Sequence, residues 1–359
     1  MPGPAITRPA IKRVTGFFLL LSSLLCLGAS AQIQSVRPPF AAAAAPSNPG
    51  QLQAQQSQTA SAPAAVSSQP QASTQNGTLV LRKDVDEVLL HATVADDKGH
   101  IVTDLDKAAF TVFEDGKPQA IVSFHHEDIP VSMGIVIDNS GSMREKRAKV
   151  NQAALNLVRS SNPEDEVFVV NFNDEYYLDQ DFTNDLLKLK DALEKIDAKG
   201  GTALYEALVA SAEHLKRNAR LERKIIFVVT DGEDNASRES LEQAVKQLQE
   251  ENGPSVYAIG ILGDEEHPKR AKRALEVITQ QTGGLAFFPK TLDDVDEISR
   301  QVAHDIRNQY TIGYKSTNPR SNGGFRAIRV EAKEKGHGKF TVRTKSGYYA
   351  GATPGARQR

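Results

Sequence analysis

Residues 132–143 read SMGIVIDNSGSM, and they decide the fold. The first seven are an almost unbroken apolar run that stops on Asp138. Such a run suits a strand buried on both faces of a parallel sheet, where helices cover each side. The same grammar recurs in VFVVNF (167–172), KIIFVVT (224–230) and VYAIGI (256–261). Helical periodicity lies between them. Leu186, Leu189, Leu193 and Ile196 share one face, as do Leu241, Ala244, Val245 and Leu248, with Ser237 expected as an N-cap. Segments 271–279 and 295–306 complete the set. Residues 129–307 are therefore expected to form an α/β domain with a doubly wound, mostly parallel sheet.

In such a sheet, ligands sit beyond the carboxyl ends of the strands. A dinucleotide site would need G-x-G-x-x-G after the first strand and a P-loop G-x-x-x-x-G-K-[ST]; the chain has neither there. It has D-x-S-x-S, one carboxylate and two hydroxyls in a tight loop. That is an all-oxygen donor set of the kind hard cations such as Mg²⁺ or Mn²⁺ take. Gly200-Gly201-Thr202 adds a hydroxyl before the helical run ALYEALVASAEHL. Thr230-Asp231-Gly232 adds a second carboxylate just past another buried strand. Three loops on one sheet edge can converge on one ion.

DNSGSM, GGTALYEAL and VVTDGEDN resemble the three motifs of von Willebrand factor type A (VWA) domains, which form a metal-ion-dependent adhesion site. Carried over position by position, the resemblance makes Asp138, Ser140, Ser142, Thr202 and Asp231 the metal ligands. It implies Mg²⁺, with Mn²⁺ or Ca²⁺ as alternatives, and a protein partner whose acidic side chain completes the coordination. The flanks, including VLLHATVADDKGHIVTDLDKAAFTVFEDGKPQ, resemble the secreted VWFA-related proteins of Acidobacteria. The implied function is an adhesion-type binding module. The rival is a structural or assembly module of the cell envelope whose metal site is empty or only stabilising. An enzyme is not expected, because neither H-E-x-x-H nor G-x-S-x-G occurs.

Outside the α/β unit the pattern changes. Segments 78–128 and 308–350 alternate apolar and polar residues, and each is too short for its own sandwich, so they are expected to pair into one β domain carrying the α/β domain as an insert. Glu114-Asp115-Gly116-Lys117 between Phe110–Phe113 and Ala120–Phe124 signals a hairpin. At the start, Arg8, Lys12 and Arg13 precede an apolar run ending in Ala29-Ser30-Ala31, which reads as a signal peptide over 1–31. The rival there is a retained anchor. Residues 32–77 carry one charge, Arg37, and read as a disordered Pro/Ala/Gln/Ser linker; residues 351–359 read as a tail. The chain is thus expected to be exported, to the periplasm, cell surface or medium, with no membrane span after cleavage. Cys26, the single cysteine, leaves with the signal. With 43 basic and 45 acidic residues there is no basic field to favour nucleic acid.

Several features have plain readings. Arg144, Lys146, Arg147 and Lys149 read as a solvated helix face, the alternative being an attractor for an acidic ligand. Glu233 and Asp234 read as helix-start acids, the alternative being a second cation site. Asp264-Glu265-Glu266 reads as a solvated loop and Tyr348-Tyr349 as β-domain core or edge.

Overall fold

A computed structural model describes residues 87–194, 198–263, 267–336 and 338–351, all within one compact unit, 76–359. The signal and linker segments, Ile196, the acidic triplet 264–266 and all but the first residue of the tail lie outside the described residues.

The chain enters with β1 (Glu87–Ala95), β2 (Phe110–Glu114), β3 (Lys117–Gln119) and β4 (Ile121–His125). The α/β unit follows as β5 (Ser132–Asp138), α1 (Arg147–Ser160), β6 (Glu166–Phe172), β7 (Tyr176–Thr183), α2 (Leu186–Glu194), α3 (Leu204–Asn218), β8 (Lys224–Thr230), α4 (Leu241–Leu248), β9 (Ser255–Gly260), α5 (Pro268–Thr282), β10 (Ala286–Phe287) and α6 (Asp294–Arg307). It leaves through β11 (Tyr310–Lys315), β12 (Phe325–Ala332), β13 (Thr341–Arg343) and β14 (Gly347–Tyr349).

The central sheet runs β10-β9-β8-β5-β6-β7, parallel except for the antiparallel edge strand β7. β5, β6 and β9 are buried along their whole length. Alternation along β5 divides the work between two helix layers. Met133, Ile135 and Ile137 pack with α1, α2 and α6, while Val136 packs with α3, α4 and α5. Gly134 faces Phe168, which leaves no room for a side chain. β5 lies between β6 and β8, so the winding direction reverses at its carboxyl end, where Asp138 stands.

The flanking strands build two antiparallel sheets, β13-β1-β11-β4 and β14-β12-β2-β3. Each mixes strands from before and after the α/β unit: Leu90 pairs with Ile312, and Val112 with Val330. β1 alternates as a half-buried strand should, turning Val88, Leu90, Ala92 and Val94 into a shared core with Phe110, Val112, Tyr310, Tyr314 and Val330. This is the expected sandwich. One detail differs. The Asp115-Gly116 turn forms, with φ of 50° and 77°, but it joins β2 to the short β3. After Ala120 the chain crosses to the other sheet, where β4 pairs with β11. Tyr348 is core and Tyr349 sits on the short strand β14.

Candidate metal site

The loops after β5 and β8, with the stretch ahead of α3, carry the expected residues. After Asp138 the backbone turns at once into a short 3-10 turn over Gly141–Met143. The Asp138 carboxylate fixes this turn by accepting from the Ser140 amide at 2.7 Å, and its other oxygen accepts from the Thr230 hydroxyl at 2.6 Å. Ser142 donates to Asp231 Oδ1 at 2.8 Å, with Ser140 Oγ at 3.1 Å from Ser142 Oγ and 3.5 Å from the same carboxylate oxygen. Four of the five residues therefore form one hydrogen-bonded cluster. Thr202 is buried but is not bonded into this cluster: its amide donates to Asn235 Oδ1 at 2.8 Å, and its carbonyl accepts from Asn235 and Ala236 on the loop after β8.

The loops are laced by main-chain bonds. Gly141 N donates to Gly200 O at 3.2 Å and Lys199 N to Asn139 O at 2.8 Å. A fourth loop, after β6, takes part: Asp174 Oδ1 accepts from Gly201 N at 2.8 Å and Asn173 O from Ala203 N at 2.6 Å. Gly200 holds φ of 79° and a Cβ there would lie 2.1 Å from Asp174, so the position admits no side chain without rearrangement.

Electrostatics at the cluster follow from burial. Asp138 is inaccessible to solvent, and this desolvation pushes its carboxyl up to about 6. The Thr230 and Ser140 hydrogen bonds oppose the rise, and the Asp231 charge adds to it. Asp231 is as deeply buried, and it is neutralised from within: Lys146 Nζ lies 2.6 Å from its Oδ2. The clustered donors fit a hard divalent cation: two carboxylates and two hydroxyls, all oxygen, with a buried carboxyl whose charge lacks compensation from water. Among the described residues no group of three His, Cys, Asp or Glu side chains could hold a metal, so the hydroxyls are essential to the fit.

The basic cluster after the loop is only half a solvated face: Arg144 and Lys149 are exposed, whereas Lys146 and Arg147 are buried. Lys146 meets Asp231, and Arg147 is buried against Leu193 O at 2.7 Å and Asn171 Oδ1 at 3.3 Å. Arg144 reaches Ala198 O, and only Lys149 is an exposed ion pair, with Asp293. Asp234 does not start its own helix. It accepts from Tyr205 N at 2.9 Å, and Ser237 accepts from Glu206 N at 3.2 Å, so both cap α3 from the neighbouring loop. The cap of α4 is Ser240, in a capping box with Gln243. Glu233 faces His267 and Arg270 at 3.8 and 3.9 Å. The sequence reading missed Lys146 as a site residue, and with it Thr230, Asn173, Asp174 and Asn235. The last four each stand within a few residues of a strand's carboxyl end, which was the available signal.

Two clefts lie away from the cluster: one of about 360 Å³ between α1 and α2, and one of about 1040 Å³ where β1 and β4 face the amino-terminal ends of β8 and β9. Of the five residues only Ser142 is exposed; Asp138, Ser140, Thr202 and Asp231 are buried. Among the described residues no helix is long and apolar enough to cross a membrane.

The fold is thus a doubly wound sheet with a D-x-S-x-S loop at its switch point, laced to a threonine loop and facing a second aspartate. Residues 133–233 match the family model described as the von Willebrand factor type A domain, so this segment is similar to VWA domains. An uncharacterized protein of Synechocystis sp. is 27% identical over 113 residues, which are 31% of this chain; the chain spans 27% of that relative's length. Among solved structures, a von Willebrand factor type A protein from Catenulispora acidiphila has a TM-score of 0.44 at 14% identity, covering 75% of each chain. A mutant of the PilB minor pilin from Streptococcus sanguinis has a TM-score of 0.43 at 13% identity, covering 50% of this chain and 62% of that one.

Proposed function

We propose that the protein is an exported, divalent-cation-dependent binding module whose partner is another protein. The observation that carries this reading is the gathering of Asp138, Ser140, Ser142 and Asp231 into one hydrogen-bonded cluster beside the Thr202 loop. These five residues would hold the ion, Mg²⁺ or its relatives Mn²⁺ and Ca²⁺. A bound ion supplies a Lewis-acidic position that an incoming carboxylate can complete. The residues do the rest. Two carboxylates balance the charge of one divalent ion without saturating its coordination. The 3-10 turn aims the Ser140 and Ser142 side chains at Asp231, and the Gly200–Thr202 loop holds the fourth side in register. The site meets solvent at the exposed Gly141-Ser142 edge of a loop, which suits a macromolecular partner reaching onto it. We read the chain as a non-enzyme, since neither H-E-x-x-H nor G-x-S-x-G occurs in it.

One observation favours the rival, a structural module of the envelope: Lys146 already neutralises Asp231. Titration calorimetry with Mg²⁺, paired with affinity capture from the native cell in Mg²⁺ and in chelator, decides between them. Binding reading: Mg²⁺ binds, and capture is lost in chelator and in Asp138→Ala. Metal binding with capture indifferent to chelator would leave the structural module.

A further inference from the structure

We infer that Lys146 is a resident counter-cation of the site, so that a divalent ion loads by exchange with its ammonium. The inference rests on the metal reading above and adds to it a residue outside the five-ligand set.

Lys146 is the N-cap of α1, held by its amide on Met143 O at 2.9 Å, directly after the loop that carries Ser140 and Ser142. A cation is disfavoured there, since the helix start already presents positive partial charge. The first turn of α1 contains no acid to offset it. The side chain nevertheless turns inward, across to the loop after β8, where its ammonium sits 2.6 Å from Asp231 Oδ2. Its side chain is 11% exposed and that of Asp231 is 0% exposed. An exposed lysine would gain little by this; a buried carboxylate gains a counter-charge it otherwise lacks.

Both oxygens of Asp231 are consequently engaged, Oδ1 by the Ser142 hydroxyl and Oδ2 by Lys146. The serine hydroxyls that would ligate an ion are themselves turned toward that carboxylate. A divalent ion at these oxygens would lie within a few ångströms of the ammonium, in a place where water does not screen the repulsion. Lysine can leave as few residues can: a flexible four-carbon stem ends in a strongly hydrated point charge, and the backbone need not move. Ion loading then has a built-in opponent, which lowers affinity while keeping the metal-free site neutralised. The released ammonium stays near the loop, positioned to meet an acidic partner.

The test uses the full chain, stripped with chelator. Mg²⁺ binding is measured by calorimetry for wild type and Lys146→Met, which keeps most of the stem. The expected result is binding about tenfold or more tighter in the variant, the scale of a close, desolvated charge pair. In parallel, amine acetylation of Lys146 in wild type is followed by peptide mass spectrometry, with exposed Lys149 as internal reference. Acetylation should rise severalfold when Mg²⁺ is added. This second readout stands even if the variant folds poorly. Equal affinities with acetylation unchanged by Mg²⁺ would overturn the exchange and leave the metal reading intact. Absence of binding by either protein at millimolar Mg²⁺ and Mn²⁺ would overturn both.

Discussion

Asp138→Asn separates the cost of a buried charge from its use. The Asp138 carboxyl is pushed up to about 6 by burial, against 3.8 for a free side chain. Between those two values the folded chain keeps a proton that the unfolded chain has lost. Metal-free stability therefore falls as pH rises from about 4 to 6, and the loss is complete at pH 7. A difference of that size is worth about 3 kcal/mol. The amide removes the charge and still accepts from the Ser140 amide through its oxygen. Its NH₂ then meets Thr230, whose hydroxyl now donates to Asp138 Oδ2 and must turn to accept. That adjustment trims the gain to roughly 1–3 kcal/mol, or a melting temperature higher by about 3–10 °C in chelator at pH 7. At pH 5 the gap should shrink. Asp165, likewise pushed up to about 6 by burial, titrates in both proteins and cancels in the difference. Saturating Mg²⁺ should reverse the order, because ligand binding stabilises only a chain that binds it. Calorimetric melting of both proteins at pH 5 and 7, with chelator and with Mg²⁺, reads all of this. A variant no more stable than wild type in chelator at pH 7, or a gap that does not narrow by pH 5, would refute the buried-charge argument.

Three further perturbations follow from the packing. Gly134→Ala places a Cβ 2.4 Å from the Phe168 ring, which is itself held by Phe182 and His214; urea unfolding should show a loss of about 1–3 kcal/mol. Glu114→Ala strands Arg326, since the two side chains face each other at 3.6 Å with 1% exposure each, and Glu114 also accepts from Tyr348 and Ser316. The expected loss is about 3–5 kcal/mol, partly recovered in the double variant with Arg326→Met. Ser240→Ala removes the capping box of α4 and should cost about 1 kcal/mol with no change in Mg²⁺ affinity, which equilibrium unfolding and calorimetry together would check.

The sheet was legible because buried parallel strands leave little to interpret: β5 and β8 begin and end where their apolar runs do. β7 was not. Its sequence YYLDQDFT carries two aspartates, and it is a half-exposed edge strand whose existence depends on pairing with β6. The site loops were legible through their glycines and hydroxyls, since these residues are the local chemistry. Lys146 and Arg147 were not, because a charge reads as solvent-facing until its partner is known. The partner of Lys146 is 85 residues away, on the loop after β8. Ser237 and Ser240 show the same limit at short range. Both precede a helical run, but only Ser240 has a Gln three residues on to close the box, a signal present in the sequence. Ser237 is taken instead by α3, a tertiary choice that no local pattern contains.

The far edge of the sheet limits how the site can communicate. The last turn of α6 is locked there. Asp305 accepts from Tyr257 Oη and from Arg343 of β13. Arg223 donates to Ile306 O and, at 2.6 Å, to Gln309 Oε1. Gln309 in turn donates to Tyr257 Oη at 2.9 Å, and Arg343 to Thr93 of β1 at 3.1 Å. One buried polar network thus binds α6 and β9 to two strands of the sandwich. On its flank α6 packs along α1, with Asn156 donating to Asp296 at 2.6 Å and Arg307 to Ser160 O at 3.2 Å, and Lys146 caps the start of α1. A shift of α6 would break several buried, charge-assisted hydrogen bonds at once, each expensive to leave unmade. Sliding of α6 alone is therefore the costly motion. The cheaper response to ion or partner is one in which α1, α6 and the sandwich strands move as a body, or one confined to the loops and the Lys146 side chain. The exchange inferred for Lys146 belongs to the second kind: it needs no helix to move.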